Sequence, residues 1–150
     1  MGHTYANVLL HVIFSTKGRR PTIRDEFRPR LYEYLAGIAR GEFGHVLRVG
    51  GTADHVHGLM VIRTDVAVAT AMRKWKSLSS RWVHQTFPGN QDFAWQEGYG
   101  VFSISGPNKQ KVIDYIDRQE EHHRRVTFQE EFVAFLKKWE IEYDPRHIWD

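Results

Sequence analysis

Two histidines one residue apart, in Asp54-His55-Val56-His57-Gly58, are the first feature of this sequence that could do chemistry. On a β-strand, side chains two apart project from the same face, so both imidazoles can converge on one point. Neighbouring imidazoles are a natural start of a metal site, although the same spacing also suits two hydrogen-bonded polar residues on a half-exposed sheet. A strand here points Val56 the other way, into a core. Gly58 leaves room for close approach by another backbone or a ligand.

A second feature is the segment VIDYIDRQ at residues 112–119. Read as a helix, Val112, Ile113 and Ile116 define its buried face, and Tyr115 sits on the edge of that face. Gln119 lies about 40° around from the tyrosine, and His123 continues the row. A phenol and a carboxamide thus project side by side toward whatever the helix packs on. If that is the open face of the sheet, the target is His55 and His57. A neutral phenol is a poor nucleophile. A cation that polarises a scissile phosphate makes its attack feasible, and the resulting phosphotyrosine ester keeps the bond energy for a later hydroxyl to reseal. Position alone does not single out Tyr115, because Tyr32, Tyr34, Tyr99 and Tyr143 could pack in the same way.

The elements that must hold these groups are readable in outline. Tyr5 to Phe14 is a buried strand rich in branched and aromatic residues, ending at a polar, basic turn. Phe27, Leu31, Leu35 and Ile38 keep a helical rhythm until Gly41, with Pro29 tolerable only in the first turn. His45 to Val49 and His55 to Ile62 are two strands hinged at Gly50-Gly51. Asp65 is placed to cap a helix whose apolar stripe is Val68, Met72, Trp75, Leu78 and Trp82, closed by Phe87-Pro88-Gly89. Tyr99 to Ser105 is a fourth strand, and Pro107 opens a helix running from Asn108 to about Arg125. Thr127 and Glu130 form a capping box for a last helix with Phe128, Phe132, Phe135 and Trp139 on one face.

Strand, helix, strand, strand, helix, strand is the α+β, ferredoxin-like (RRM-like) order: an antiparallel sheet with helices on one face. Two C-terminal helices follow, the first carrying the tyrosine. In this topology the first and third strands are central, which puts the histidine pair mid-sheet. No repeat or linker divides the 150 residues, so one continuous domain over 1–150 is expected.

Composition bounds the function classes. The chain is 41% hydrophobic and 26% charged, as an ordinary globular protein is. It has no run of transmembrane length and no signal-peptide pattern at its start. With no cysteine, disulfides, thiolate zinc sites and thiol nucleophiles are excluded, which fits a reducing cytoplasm. The formal charge of +3 hints mildly at polyanions. Lys17, Arg19, Arg20 and Arg24 cluster after the first strand, and Arg73, Lys74, Lys76 and Arg81 share one helix. Two solvated faces are the plain reading of both groups.

Taken together, the segments HVIFSTKGRR (11–20), ADHVHGL (53–59), WQEGYGVFSIS (95–105) and VIDYIDRQEEHH (112–123) resemble one family along nearly the whole chain. It is the single-tyrosine HUH transposases of the smallest bacterial insertion sequences, including relatives that act on repetitive palindromes. The resemblance implies that Tyr115 is a nucleophile forming a 5′-phosphotyrosine. It also implies that His55, His57 and Gln119 hold a divalent metal, Mg²⁺ or Mn²⁺. Donor chemistry alone would not choose those ions, since imidazoles equally suit zinc, nickel or copper. Glu120 and His123 are rival third ligands. By the same resemblance the substrate is single-stranded DNA folded into hairpins at element ends. The protein is then a homodimer in which the tyrosine helix of one subunit completes the other's metal site. Arg19, Arg20, Arg73, Lys74 and Lys76 are the candidate contacts to the DNA backbone, and no helicase or added DNA-binding domain is expected.

Three rival readings use the same residues differently. A replication-initiator or relaxase-type nickase shares the histidine pair and tyrosine but leaves one nicked, covalently bound strand. A non-catalytic single-strand-binding module would carry stacking aromatics on the two central strands, where the sequence has His55 and His57. A domesticated transposase descendant would tend to have lost the candidate residues, and all are present.

Overall fold

The computed structural model describes residues 2–150, and its architecture follows from the two-residue period of its strands. Strand β1 (Leu9–Ser15) is buried along its whole length. Leu10, Val12 and Phe14 join one apolar cluster, while Leu9 and Ile13 join others on the opposite face. Strands β2 (Gly44–Gly51), β3 (His55–Ile62) and β4 (Gly100–Ser103) complete an antiparallel sheet in the order β2-β3-β1-β4. The expected central position of the first and third strands is what is observed. Ile13 pairs with His57 and Ser15 with His55, so both histidines sit beside β1, inside the sheet.

Helix α1 (Arg28–Glu42) and helix α2 (Val68–Thr86) cover one face. Their core is Leu31 and Leu35 of α1 and Met72 and Trp75 of α2, packed on Val12, Phe14, Val56 and Met60 of the central strands. Pro29 falls in the first turn of α1, where its missing N–H costs nothing. The other face is covered by α3 (Lys109–Asp117), the single turn α4 (Gln119–His122) and α5 (Phe128–Lys138). Ile116 of α3 packs on Leu9 and Leu59, and Phe128, Phe132 and Leu136 of α5 pack on Ile13 and Phe102.

Four local expectations are corrected. Asp65 does not cap α2: the N-cap is Ala67, and the exposed Asp65 carboxylate instead faces Arg63 at 3.5 Å. The predicted stripe is also rotated, since Ala71, Ser79 and Val83 are buried with Met72 and Trp75, whereas Val68, Leu78 and Trp82 lie at the margin. The tyrosine helix is not continuous to Arg125 but breaks at Arg118 (φ −104°, ψ 20°) before α4. The Gly50-Gly51 pair is not the hinge, because both residues pair with β3 and the turn is Thr52-Ala53-Asp54.

What glycine provides at position 50 is proximity. A Cβ there would lie 2.7 Å from the Ile116 carbonyl oxygen of α3, so the tyrosine helix rests directly on the β2 backbone. Gly58 likewise admits the Trp75 indole, whose Cη2 would be 2.5 Å from a Cβ. Gly50→Ala is therefore expected to push α3 off the sheet and to cost about 1–3 kcal/mol. Urea unfolding measures this, and a midpoint equal to wild type would show that α3 does not depend on that contact.

Candidate metal and nucleophile site

On the face opposite α1 and α2, the inward side chains of β1 and β3 include His11, His55 and His57, each no more than 2% exposed. Each ring is held through a specific partner. His55 Nδ1 is 2.8 Å from Asp54 Oδ1 and 3.0 Å from Thr52 Oγ1. His57 Nδ1 is 2.8 Å from His11 Nε2. From the helical side, His123 Nδ1 donates to the Val126 carbonyl at 2.7 Å. These contacts leave the Nε2 atoms of His55, His57 and His123 directed at one another.

The break at Arg118 turns Gln119 inward. Its side chain is buried, and Oε1 lies 3.0 Å from His55 Nε2 and 2.9 Å from His123 Nε2. Glu120 is turned out, its side chain 70% exposed and 3.4 Å from Arg28, so it does not enter the cluster. Of the two rivals to Gln119, His123 is the one that faces the histidine pair.

Glu131, the fourth residue of α5, reaches the same point and was not foreseen. Its Oε1 is 2.9 Å from His57 Nε2, 3.3 Å from His123 Nε2 and 3.8 Å from His55 Nε2. Its Oε2 accepts a hydrogen bond from the Tyr115 hydroxyl and is 3.1 Å from His122 Nε2. The only hint in the sequence is a carboxylate one helical turn from Phe128 on a face otherwise apolar. His11 was missed as well, and its hint is comparable: a titratable residue alternating with Leu9 and Ile13 in a strand read as buried.

These contacts set the protonation states. Burial would raise Glu131, but hydrogen bonds from His123 and His57, the His57 charge and the Tyr115 hydroxyl hold it well below the usual carboxylate range. Burial, then the charge of Glu131 and the bond to it, push Tyr115 well above an ordinary phenol. Burial brings His57 down to about 4, against the opposing pull of Glu131. His123 also resists charging through burial, yet Glu131 and the Val126 carbonyl outweigh this and raise it. Asp54 is disfavoured by burial but held low by hydrogen bonds from His55 and Thr52.

The donor set fits a divalent cation. One ligand atom from each of His55, His57, His123 and Glu131 falls within 4.8 Å of the others. Ligand atoms around a small ion with bonds of about 2.1 Å lie at most about 4.2 Å apart, so contraction by a few tenths of an ångström suffices. An outer acceptor on Nδ1 is the usual way a ligating histidine is oriented, and Asp54 and the Val126 carbonyl supply it for two of the three. His11 supplies it for His57 when its own Nε2 accepts.

Tyr115 borders a cavity of about 430 Å³ that also exposes Lys111, Arg118, His122 and Arg125. Lys111, Arg118 and Arg125 form no ion pair among the described residues, while His122 faces Glu131. The cations singled out from sequence stand elsewhere. Arg19 lies over the Trp149 ring at 5.1 Å, and Arg20 faces Asp92 at 3.8 Å. Arg73, Lys74 and Lys76 are on α2, on the far side of the sheet from the site. Lys74 is paired with Glu42 at 2.9 Å, and Lys76 donates to the Glu97 and Gly98 carbonyls.

The profile of the family described as Transposase IS200 like matches residues 4–119. The chain belongs to this family. Among solved structures it is similar to a presumed transposase from Deinococcus radiodurans R1, at 24% identity with a TM-score of 0.62, covering 79% of this chain and 96% of that one. It is also similar to a REP-associated tyrosine transposase bound to a REP hairpin, at 15% identity with a TM-score of 0.61, covering 84% of this chain and 74% of the other. No curated protein sequence matches it. The family profile takes in the histidine pair, Tyr115 and Gln119 but stops before His123 and Glu131. Among the described residues, no helix of this IS200-like transposase is long and apolar enough to cross a membrane.

With cations chelated, the histidines predict an acid-sensitive fold. An unfolded imidazole titrates near 6.5, whereas His57 in the fold titrates at about 4 and His11, through burial and then His57, at about 3. Between these values the unfolded chain binds more protons, so the stability they confer is complete above pH 6.5 and lost as the pH falls toward 4. The loss is on the order of 3 kcal/mol for one such imidazole. Urea unfolding from about pH 7 to about pH 4.5 tests this. A flat profile would mean that these rings are not buried in the neutral form.

Proposed function

We propose that this IS200-like transposase cleaves and rejoins single-stranded DNA, with Tyr115 as nucleophile and a Mg²⁺ or Mn²⁺ ion held by His55, His57 and Gln119. The observation that carries the reading is that Tyr115 reaches the histidine cluster: its ring centroid lies 5.7 Å from that of His57, and its hydroxyl donates to Glu131, whose other oxygen faces both histidines. His123 is a further donor on the same side. A cation bound there would polarise the scissile phosphate and offset the charge that builds on its oxygens.

The protein's own groups do the rest. The Tyr115 oxygen gives up its proton and bonds to phosphorus, and the bond from phosphorus to the 3′ oxygen breaks, releasing a 3′-hydroxyl. A second 3′-hydroxyl can then attack the phosphotyrosine, restoring the phenol and joining a new strand, with no nucleotide cofactor. Lys111, Arg118 and Arg125 line the approach to Tyr115 and are free to meet phosphates. Hairpin recognition is proposed by analogy with the similar transposase bound to a REP hairpin. By the family resemblance the protein acts as a dimer with sites shared between subunits; within one chain His55, His57, His123 and Glu131 already lie together.

The rival single-strand-binding module has less support. It needs an open sheet face with stacking aromatics, whereas both faces carry helices, and on the α3–α5 face the side chains of β1 and β3 are aliphatic, serine or histidine.

The deciding experiment is covalent trapping with Mg²⁺ or Mn²⁺ on single-stranded oligonucleotides spanning both flanks of the gene, with duplex controls. A denaturation-resistant adduct is expected with single strands only, absent in Tyr115→Phe and reduced at least about 100-fold in His57→Ala. An adduct persisting in Tyr115→Phe would remove the tyrosine assignment. A nicked product that is never rejoined would favour the nickase.

Single-strand affinity gives a separate check on the DNA path. Replacing Lys111, Arg118 and Arg125 together by alanine is expected to lower affinity about tenfold or more and to flatten the salt dependence by about 2 logarithmic units of slope. Replacing Lys74 and Lys76 should leave both near wild type. The reverse result would place the strand on α2.

A further inference from the structure

Helix α5, beyond the family-matched residues 4–119, brings a carboxylate into the centre of the site. We propose that Glu131 is both a ligand of the cation and the acceptor that aims the Tyr115 hydroxyl, so that one carboxylate joins the metal to the nucleophile. The inference rests on the reading of Tyr115 and the histidine pair given above and adds a residue to it.

Three observations carry it. First, the two oxygens of Glu131 face different partners. Oε1 is directed at His57, His123 and His55, the atoms that would surround the ion. Oε2 takes the Tyr115 hydroxyl, with Gln119 Nε2 at 3.4 Å. A carboxylate can ligate through one oxygen while its other oxygen accepts a hydrogen bond.

Second, the only counterparts of the charge are imidazoles. The Glu131 side chain is 2% exposed, and its ion-pair partners among the described residues are imidazoles alone, with no lysine or arginine. An ionised carboxylate is costly to bury unless it is paired or coordinates a metal. Around this one stand His55 and His57, whose Nε2 atoms are placed to ligate.

Third, packing does not call for an acid here. Phe128, Phe132 and Leu136 on the same helix fill the contact with Ile13 and Phe102. Glu131 is the charged residue of α5 that is buried with them. Gln119 and Glu131 then approach the histidine pair from two separate segments, one on each side of the loop at 123–127.

The test measures Mn²⁺ binding to the full chain by titration calorimetry in wild type, His57→Ala, Glu131→Gln and Tyr115→Phe. Thermal melts establish that each variant folds. Wild type should bind one Mn²⁺ and His57→Ala should lose it. Glu131→Gln, with nearly the same shape but no charge, should bind at least about tenfold more weakly. Tyr115→Phe should stay within about threefold of wild type, because it removes the nucleophile and no ligand. Covalent adduct formed by Glu131→Gln at saturating Mn²⁺ should remain below wild type, reflecting the lost aim of the phenol.

Equal affinity in Glu131→Gln and wild type, with binding lost in His57→Ala, would overturn the role of Glu131 and leave the histidine–tyrosine reading standing. No Mn²⁺ or Mg²⁺ binding by wild type would overturn both. If Glu131→Gln does not fold, the infrared difference spectrum of wild type on Mn²⁺ addition decides. A shifted carboxylate stretch supports the proposal, and unshifted carboxylate bands refute it.

Discussion

A carboxylate buried among imidazoles is the interaction on which the second face of this protein depends. Glu131 is 3% exposed and sits within 4 Å of four different histidines. Leaving such a group unpaired would cost several kcal/mol, so its neighbours are constrained in both position and protonation. His123 is drawn toward the charged form, and Tyr115 is kept as a neutral donor. The outer contacts follow from the same requirement. Asp54 and Thr52 fix His55, His11 fixes His57, and the Val126 carbonyl fixes His123. Moving any one of these rings would leave another polar group inside the protein without a partner.

What made the sheet legible was periodicity. Val12 and Phe14 alternate with His11 and Ile13, and Val56 and Met60 alternate with His55 and His57, so residue type alone assigns each side chain to a face. The shared face of the histidine pair was legible for that reason, whereas Tyr115 and Gln119, on helical segments, were singled out by the family resemblance. Less visible were features that depend on contact between distant segments. Gly50 looks like a hinge in sequence and is a contact point for Ile116, because proximity and turn formation both select glycine. The break at Arg118 has no proline or glycine to announce it. Asp65 satisfies the chemistry of a cap, yet a turn from Arg63 to Val66 intervenes and the helix starts later. Glu131 stood beside Glu130, whose N–H donates to the capping Thr127 hydroxyl while its carboxylate meets that hydroxyl and not the Thr127 N–H, and only the docked helix distinguishes the two acids.

Charge placement was the least legible of all. Basic residues are conspicuous in α2, but that helix lies behind the sheet, and two of its lysines are occupied by Glu42 and by backbone carbonyls. Burial lowers Lys76 to about 8, which weakens it further as a standing cation. The cations beside Tyr115 are spread over α3, the break at Arg118 and the turn after α4, so no local cluster marks them in the sequence. Lys111 and Arg118, seven residues apart, share one face of the helix, and Arg125 joins them at the cavity only through the turn after α4.

The site is divided between two supports of unequal rigidity. His55 and His57 lie on a central strand, hydrogen-bonded along both edges and fully buried. Tyr115, Gln119, His123 and Glu131 lie on three short helical segments of nine, four and eleven residues and the turn between two of them. Helices this short are marginal on their own and hold their positions through packing. Here that packing is Ile116 against Leu59 and the phenylalanines of α5 against Ile13 and Phe102. Neither support carries a full donor set by itself, since the strand offers two imidazoles and the helices offer one imidazole, one amide and one carboxylate. A cation held between them would therefore bind most tightly when the helices are docked, and by linkage would stabilise the docked arrangement. The same bond that recruits the metal would thus fix the tyrosine over the phosphate it is to attack, which makes the position of α5 part of the chemistry and not only of the fold.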